Sequence, residues 1–411
     1  MIPLRPLPRQ GSDGYRDLLR RRAVEDGAIR TSVTEILGKV RAGGDRAILE
    51  LTERFDGVRI SSTRVPMSAC EEALDALDTP VREALREAAR RIESVHRAQQ
   101  FREAPVTVVP GVRVWREWRP YHRVGLYTPG GRTVYPSSVL MMALPAVIAG
   151  CAEIVLCSPP QHDGRVAPAI LAAAAMTGIT EVHATGGAQA IAAMAYGTET
   201  IGRVDKIVGP GNAFVTEAKR QVFGEVGIDM PAGPSEVVVI SDGSTNPDWL
   251  AADLRAQAEH SPDAMAILLT TSATDAAALS SVPAGQVTAL QCATIEDAIA
   301  FANDFAPEHL SLACRDPARW LPGVRSAGSV FLGPYGAPAA GDYATGANHV
   351  LPTGGSARSF GALGVSAFGR AIQVQQVEAN GIEAVASVVD ILAAVERLPW
   401  HAASVRLRFD R

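Results

Sequence analysis

Glu308 and His309 stand side by side in Phe305-Ala306-Pro307-Glu308-His309-Leu310. Gln257 and His260 are three apart in Arg255-Ala256-Gln257-Ala258-Glu259-His260, and Asp342 and His349 follow in the stretch from Gly341 to Thr353. His401 lies near the end. Imidazole is the usual proton shuttle near neutral pH and the commonest metal ligand. A set of four histidines beside carboxylates and amides late in the chain points to metal-assisted acid–base chemistry.

Each group has a plainer reading as well. A Gln and a His three apart on a helix share a face and can grip one metal ion, yet such pairs are more often solvated. Glu-His dipeptides are common on surfaces; at a strand start after a proline both side chains can reach a cleft, where the imidazole takes a proton from an alcohol and the carboxylate activates water. The segment Gly341-Asp342-Tyr343-Ala344-Thr345-Gly346-Ala347-Asn348-His349 has little apolar content for a core, which favours a functional loop, with Asp342 a hard oxygen ligand suited to zinc.

These residues need a frame. From Val106 onward, short apolar runs alternate with helices of small residues. Val124-Gly125-Leu126-Tyr127 leads into Thr128-Pro129-Gly130-Gly131, Glu181-Val182-His183-Ala184 precedes Gly186-Gly187, and Lys206-Ile207-Val208 precedes Gly209-Pro210-Gly211-Asn212. Apolar strands ending in glycine turns and followed by helices predict helix-flanked parallel sheets, with ligands at the carboxyl ends of the strands. No G-x-G-x-x-G is present, so the glycine turns are equally readable as plain strand ends. Strands are expected at Glu236–Ile240, Met265–Thr270, Leu310–Ala313 and Ser329–Leu332. The expected organisation is a helical N-terminal region over 1–124, α/β units over 125–235 and 236–370, and a detached tail over 371–411.

The 411 residues are 47% hydrophobic and 20% charged, with a net charge of −5. That composition is globular and suits more than one domain. Its scattered basic residues give no nucleic-acid footprint. Only Lys39, Lys206 and Lys219 are lysines, which disfavours Schiff-base chemistry. The five cysteines include no C-x-x-C pair, arguing against a disulfide framework or a cysteine zinc site. Met1–Gln10 has no apolar signal-peptide core, and the apolar run Val139–Cys151 is too short to span a bilayer. A cytoplasmic, non-membrane protein is expected.

In order along the chain, these segments resemble the histidinol dehydrogenase family. The resemblance is carried by Gly125-Leu126-Tyr127-Thr128-Pro129-Gly130-Gly131, Tyr135-Pro136-Ser137-Ser138-Val139-Leu140-Met141, Gly186-Gly187-Ala188-Gln189, Gly209-Pro210-Gly211-Asn212, and Ala232-Gly233-Pro234-Ser235-Glu236. It continues through Gln257-Ala258-Glu259-His260, Ala306-Pro307-Glu308-His309-Leu310, Gly341-Asp342-Tyr343, and Asn348-His349-Val350-Leu351-Pro352-Thr353.

The resemblance implies two incomplete Rossmann-like domains and an extended C-terminal tail exchanged in an intertwined homodimer with shared active sites. It implies one Zn²⁺ per subunit on Gln257, His260, Asp342 and, from the partner, His401. It implies Glu308 and His309 as the acid–base pair. Substrate contacts would be Ser235, His349 and Glu396 (again the partner's), together with His309 and the zinc ligands. Tyr127, Gln189 and Asn212 would contact NAD. The implied reaction is four-electron oxidation of L-histidinol to L-histidine, the last step of histidine biosynthesis, through the aldehyde and with two NAD⁺. A relative that oxidises a sulfonated diol is an alternative, but it usually carries Thr-Asp where this chain has Ser235-Glu236. A zinc hydrolase would leave the glycine turns unexplained. A non-catalytic zinc-stabilised dimer would not need Glu308 and His309.

Overall fold

A computed structural model places the apolar runs in two six-stranded sheets and one three-stranded sheet. The structure describes residues 2–21, 27–130, 133–179, 181–231, 233–275, 279, 282 and 286–409. Gly131 and Ala232, named in the segments above, lie outside them.

The N-terminal part comprises β1 (Leu4–Pro6), α1 (Asp13–Leu19), α2 (Gly27–Asp56), β2 (Arg64–Val65), α3 (Met67–Asp75), α4 (Thr79–Arg97), β3 (Val106–Val109) and β4 (Val112–Pro120). The first α/β unit holds β5 (Arg123–Tyr127), α5 (Pro136–Ala149), β6 (Glu153–Ser158), α6 (Pro168–Met176), β7 (Glu181–Ala184), α7 (Gly187–Tyr196), β8 (Lys206–Val208), α8 (Ala213–Val222) and β9 (Gly227–Ile228). The second holds β10 (Glu236–Ser241), α9 (Pro247–Ala258), β11 (Met265–Thr270), β12 (Val287–Gln291), α10 (Ile295–Phe305), β13 (His309–Ala313), α11 (Pro317–Trp320), β14 (Ser329–Leu332) and α12 (Pro338–Tyr343). The tail is β15 (Gly369–Val377), α13 (Ala379–Val395) and α14 (Pro399–Arg406).

The first sheet runs β2-β7-β6-β5-β8-β9 and the second β1-β12-β11-β10-β13-β14. Counted from β5 and from β10, the five parallel strands of each follow the order 3-2-1-4-5, half of a doubly wound sheet. Their central strands are apolar on both faces because helices cover both: every residue of β10 from Glu236 to Ser241 is buried, as is every residue of β13. α7 is buried along most of its length, and most of its buried side chains are alanines.

The N-terminal region is not a helical unit of its own. β1 extends the second sheet by pairing with β12, and β2 closes the first by pairing antiparallel to β7. Edge strands two or three residues long carry too little apolar pattern to stand out in the sequence. α2 runs the whole way from Gly27 to Asp56, bending at Gly44, whose φ is 52°. The tail is not simply extended. β15 pairs with β4 over nine residues, and α13 and α14 fold back on each other around Arg397, φ 58°. Along α13, Val388, Ile391, Leu392 and Val395 form a stripe at helical spacing that stays exposed, Val395 at 76%.

Candidate active site

The loops after β5, β7 and β8 meet at the carboxyl edge of the first sheet, where the strand order reverses between β5 and β8. Tyr127 ends β5 and is buried, and its hydroxyl accepts a hydrogen bond from the Gly187 N–H at 3.1 Å. Burial pushes the phenol up to about 12, so it stays neutral. Gln189 is buried in the first turn of α7. Asn212 is exposed and caps α8, its Oδ1 accepting from the N–H groups of Phe214 and Val215 at 3.0 and 3.1 Å. The family resemblance groups these three residues, and the fold sets them on one sheet edge.

That turn is tied down from beneath. Lys219 and Asp229 form an ion pair with both side chains almost fully buried. Asp229 Oδ2 accepts from the Gly209 N–H at 2.8 Å, and Lys219 Nζ donates to the Gly209 carbonyl at 2.9 Å. Gly209 has φ 133°, and a Cβ there would lie 2.1 Å from the Tyr127 carbonyl oxygen, so only glycine fits between the clamp and β5.

Glu308 and His309 lie elsewhere, at the amino edge of the second sheet. Ser235 immediately precedes β10, which Glu236 opens, and Glu308 immediately precedes β13, the strand paired with it, which His309 opens. In the second sheet these candidates stand at the edge opposite to the carboxyl ends at which ligands are expected. Between the carboxyl ends of β10 and β13 the crevice is stitched by the chain itself: Asp242 accepts from the Arg315 N–H at 3.1 Å, and Thr245 donates to the Ala313 carbonyl at 2.9 Å.

Glu308 and His309 are both buried, as a strand start following Pro307 allows. Glu308 Oε2 accepts from the Glu236 N–H at 2.8 Å. His309 Nδ1 lies 3.3 Å from the Glu236 carbonyl and 3.5 Å from Glu308 Oε2, and its Nε2 lies 3.5 Å from Asp342 Oδ1. Burial opposes charging this imidazole, but the carboxylates of Glu308 and Asp342 outweigh it and push His309 up to about 10. Burial likewise works against the Asp342 carboxylate, yet His309, with His349 and His260 near, holds it below the usual range.

Asp342 reaches this point because α12 presses onto β14. A Cβ on Gly341 would meet the Phe331 ring at 2.6 Å. His349 Nδ1 lies 2.8 Å from the Asp342 backbone carbonyl, and its Nε2 lies 3.0 Å from Ser138 Oγ. The carbonyl only accepts, so Nδ1 carries the proton and Nε2 accepts from Ser138. Burial lowers the His349 pKa and keeps the ring neutral.

Gln257 and His260 do not share a helix face. α9 stops at Ala258 with Glu259 as its cap, and His260 follows in the turn. His260 Nδ1 lies 2.9 Å from the Ala256 carbonyl, which fixes the proton on Nδ1 and leaves Nε2 as a free acceptor. The Gln257 amide is buried, and among the described residues its Nε2 has no hydrogen-bond partner. Half a turn of the amide presents its oxygen there instead. α12, which bears Asp342, packs beside α9. Among the described residues no group of three or more His, Cys, Asp or Glu is arranged to hold a metal within one chain.

Glu396 and His401 are not brought to these residues. Both are exposed on the tail, and His401 makes only local bonds, its N–H to Leu398 and its carbonyl accepting from Ser404 Oγ. The sequence reading passed over Ser138 and Glu236, although each stands in a segment singled out above. Arg21, which grips Glu236, carried no signal among the many arginines of its neighbourhood.

The family model described as Histidinol dehydrogenase matches residues 19–409. The chain belongs to the histidinol dehydrogenase family. Curated histidinol dehydrogenases similar to it include one from Xylella fastidiosa, 46% identical over 92% of each chain. Another, from Methanothermobacter thermautotrophicus, is 45% identical over 95% of this chain and 96% of its own. A crystal structure of histidinol dehydrogenase from Elizabethkingia anophelis superposes with a TM-score of 0.94 at 37% identity, covering 99% of this chain and 98% of that one. Among the described residues no helix is long and apolar enough to cross a membrane.

Proposed function

We propose that this protein is a zinc- and NAD-linked histidinol dehydrogenase that oxidises L-histidinol through L-histidinal to L-histidine. The observation that carries the reading is the buried Glu308–His309 pair, held against Asp342 in a chain that matches this family from end to end. The donor set Gln257, His260 and Asp342 fits zinc in kind: a carboxylate, an imidazole with Nε2 free, and a buried amide whose Nε2 has no hydrogen-bond partner among the described residues. The exposed His401 and Glu396 would complete the site from a second copy, and the bare apolar stripe of α13 supports such a partner. When bound, zinc would anchor the substrate's imidazole and amino nitrogens, and NAD⁺ would accept the hydride in each half-reaction.

This chain's own residues handle the protons. Neutral His309, its Nδ1–H directed at the Glu236 carbonyl, presents Nε2 as the base for the alcohol proton. Engaging Asp342 with a cation removes one of the two carboxylates that favour the charged ring, which moves His309 toward that neutral form. Glu308, oriented by the Glu236 N–H, takes a proton from the water that adds to the aldehyde. His309 returns the alcohol's proton to the aldehyde oxygen as water adds, and so is free to accept the hydrate's proton in the second oxidation. Burial of both side chains keeps bulk water from competing.

Ser235, beside Glu236, and His349, held by Ser138, face the substrate. Tyr127, Gln189 and Asn212 line the dinucleotide crevice. The test is NADH formation from histidinol by zinc-loaded protein, with two NADH expected for each histidinol consumed and activity lost on chelation and restored by zinc. Absence of NADH from histidinol, or full activity without metal, would overturn the reading.

A further inference from the structure

Arg21 lies far from the active-site residues in sequence, yet its guanidinium sits among the segments that carry them. Its Nε and Nη2 engage both carboxylate oxygens of the buried Glu236, the second at 3.1 Å. Nη2 also donates to the carbonyl of Phe305 and lies 3.3 Å from that of Ala306. Its plane covers the Phe305 ring at 3.9 Å. Glu236 Oε1 in turn accepts from the Gly354 N–H at 3.2 Å.

Three chain segments therefore meet on one ion pair. The β10 start bears Ser235. The connector from α10 to β13 bears Glu308 and His309. The loop ending at Gly354 bears His349. The connector has an unusual conformation that needs holding: Ala306 is left-handed, φ 51°, two residues before Glu308. The backbone of Glu236 touches both members of the acid–base pair, its N–H on Glu308 and its carbonyl beside His309 Nδ1.

Resting on the histidinol-oxidising reading above, we propose that Arg21 is a positioning residue for Glu308 and His309, acting through Glu236 and the Phe305 carbonyl. Only a planar fork of donors serves a carboxylate at two points and a carbonyl at once while lying on an aromatic face. A lysine supplies the charge but one point of contact. A shift of about 1 Å in a reacting group costs up to about a hundredfold in rate.

Arg21→Lys, in the zinc-loaded full-length enzyme, is expected to lower kcat by about tenfold to a hundredfold. The KM for NAD⁺ should change by less than about twofold, because the dinucleotide crevice is on the other sheet. Arg21→Ala should lose more, and millimolar guanidinium should restore part of its kcat where equal sodium chloride does not. Native kcat in folded Arg21→Lys would overturn the proposal. So would parallel loss of kcat, NAD⁺ affinity and melting temperature in both variants without guanidinium rescue, which marks a merely structural ion pair. Failure of the native enzyme itself to make NADH from histidinol would instead sink the functional reading on which the proposal rests.

Discussion

In the first sheet the candidate residues follow the strands: Tyr127 closes β5, Gln189 stands just past β7 and Asn212 just past β8. In the second they precede or open them: Ser235 comes before β10, and Glu308 comes before β13, which His309 opens. The strand order is the same in both. Strand order alone therefore does not choose the working edge. The linkage does: the chain passes from the carboxyl end of β9 to the amino end of β10 in seven residues, Asp229 to Ser235. Opposite edges of the two sheets are thereby brought to one place, where Ser138 beyond β5 bonds His349 and Asn348 donates to the Met141 carbonyl at 2.7 Å. Each edge is braced by a buried ion pair that also grips backbone, Lys219–Asp229 below the first and Arg21–Glu236 below the second.

If the second edge does the proton chemistry, its loss should be the largest effect. His309→Ala is expected to lower kcat by about 10²- to 10⁴-fold in steady-state NADH assays. Glu308→Gln should spare alcohol oxidation relative to aldehyde oxidation, which supplying the aldehyde directly would reveal. Equal loss at both stages would mean the two residues do not divide the work.

The tail supplies the next test. Neither His309→Ala nor His401→Ala should be active alone. Unfolding and refolding the two together should return about a quarter of native activity, since half the dimers are hybrids and each hybrid has one intact site. No recovery, with hybrids confirmed by mass, would confine each site to one chain.

Lys219→Met asks what braces the first edge. It leaves the Asp229 carboxylate buried without its cation, a change that costs about 3–5 kcal/mol. The melting temperature should fall, with the KM for NAD⁺ raised more than that for histidinol. An unchanged melt would mean that the clamp holds nothing.

The smallest expected effect compares two half-buried acids, Asp56 at the end of α2 and Asp253 on α9. Burial raises each from the ordinary 3.8 to about 6. Such a group binds its proton more tightly when folded, so folded stability falls as pH rises from about 4 to about 6. Asp56→Asn and Asp253→Asn should each raise the urea midpoint near pH 7 and leave it nearly unchanged near pH 4. The opposite pH trend would show that these carboxylates are favourably paired.

Much of this was readable in the chain. The apolar runs ending in glycine turns gave the strands of the first unit, because parallel strands buried on both faces leave unbroken hydrophobic stretches. β12 was missed, and β1 and β2 are too short to show a period. Asp342 and His349 could be singled out because their segment is poor in core-forming side chains, and Glu308 and His309 because a carboxylate and an imidazole adjoin at a strand start after a proline. Their working edge could not be foreseen: the rule for parallel sheets points to the carboxyl ends, and nothing local to Glu308 indicates that Asp242 and Thr245 have stitched that crevice shut. The helix carrying Gln257 was expected, but its stop before His260 depends on Glu259 taking the cap. Arg21 was invisible because its partner is more than two hundred residues away.

The division of labour between the two edges is most directly tested by titrating NAD⁺ calorimetrically into His309→Ala and Asn212→Ala, alongside the native enzyme. His309→Ala should bind NAD⁺ as the native enzyme does while failing to turn over. Asn212→Ala should bind it more weakly while keeping measurable turnover at saturating NAD⁺. Weakened NAD⁺ binding in His309→Ala, with native binding in Asn212→Ala, would contradict the account.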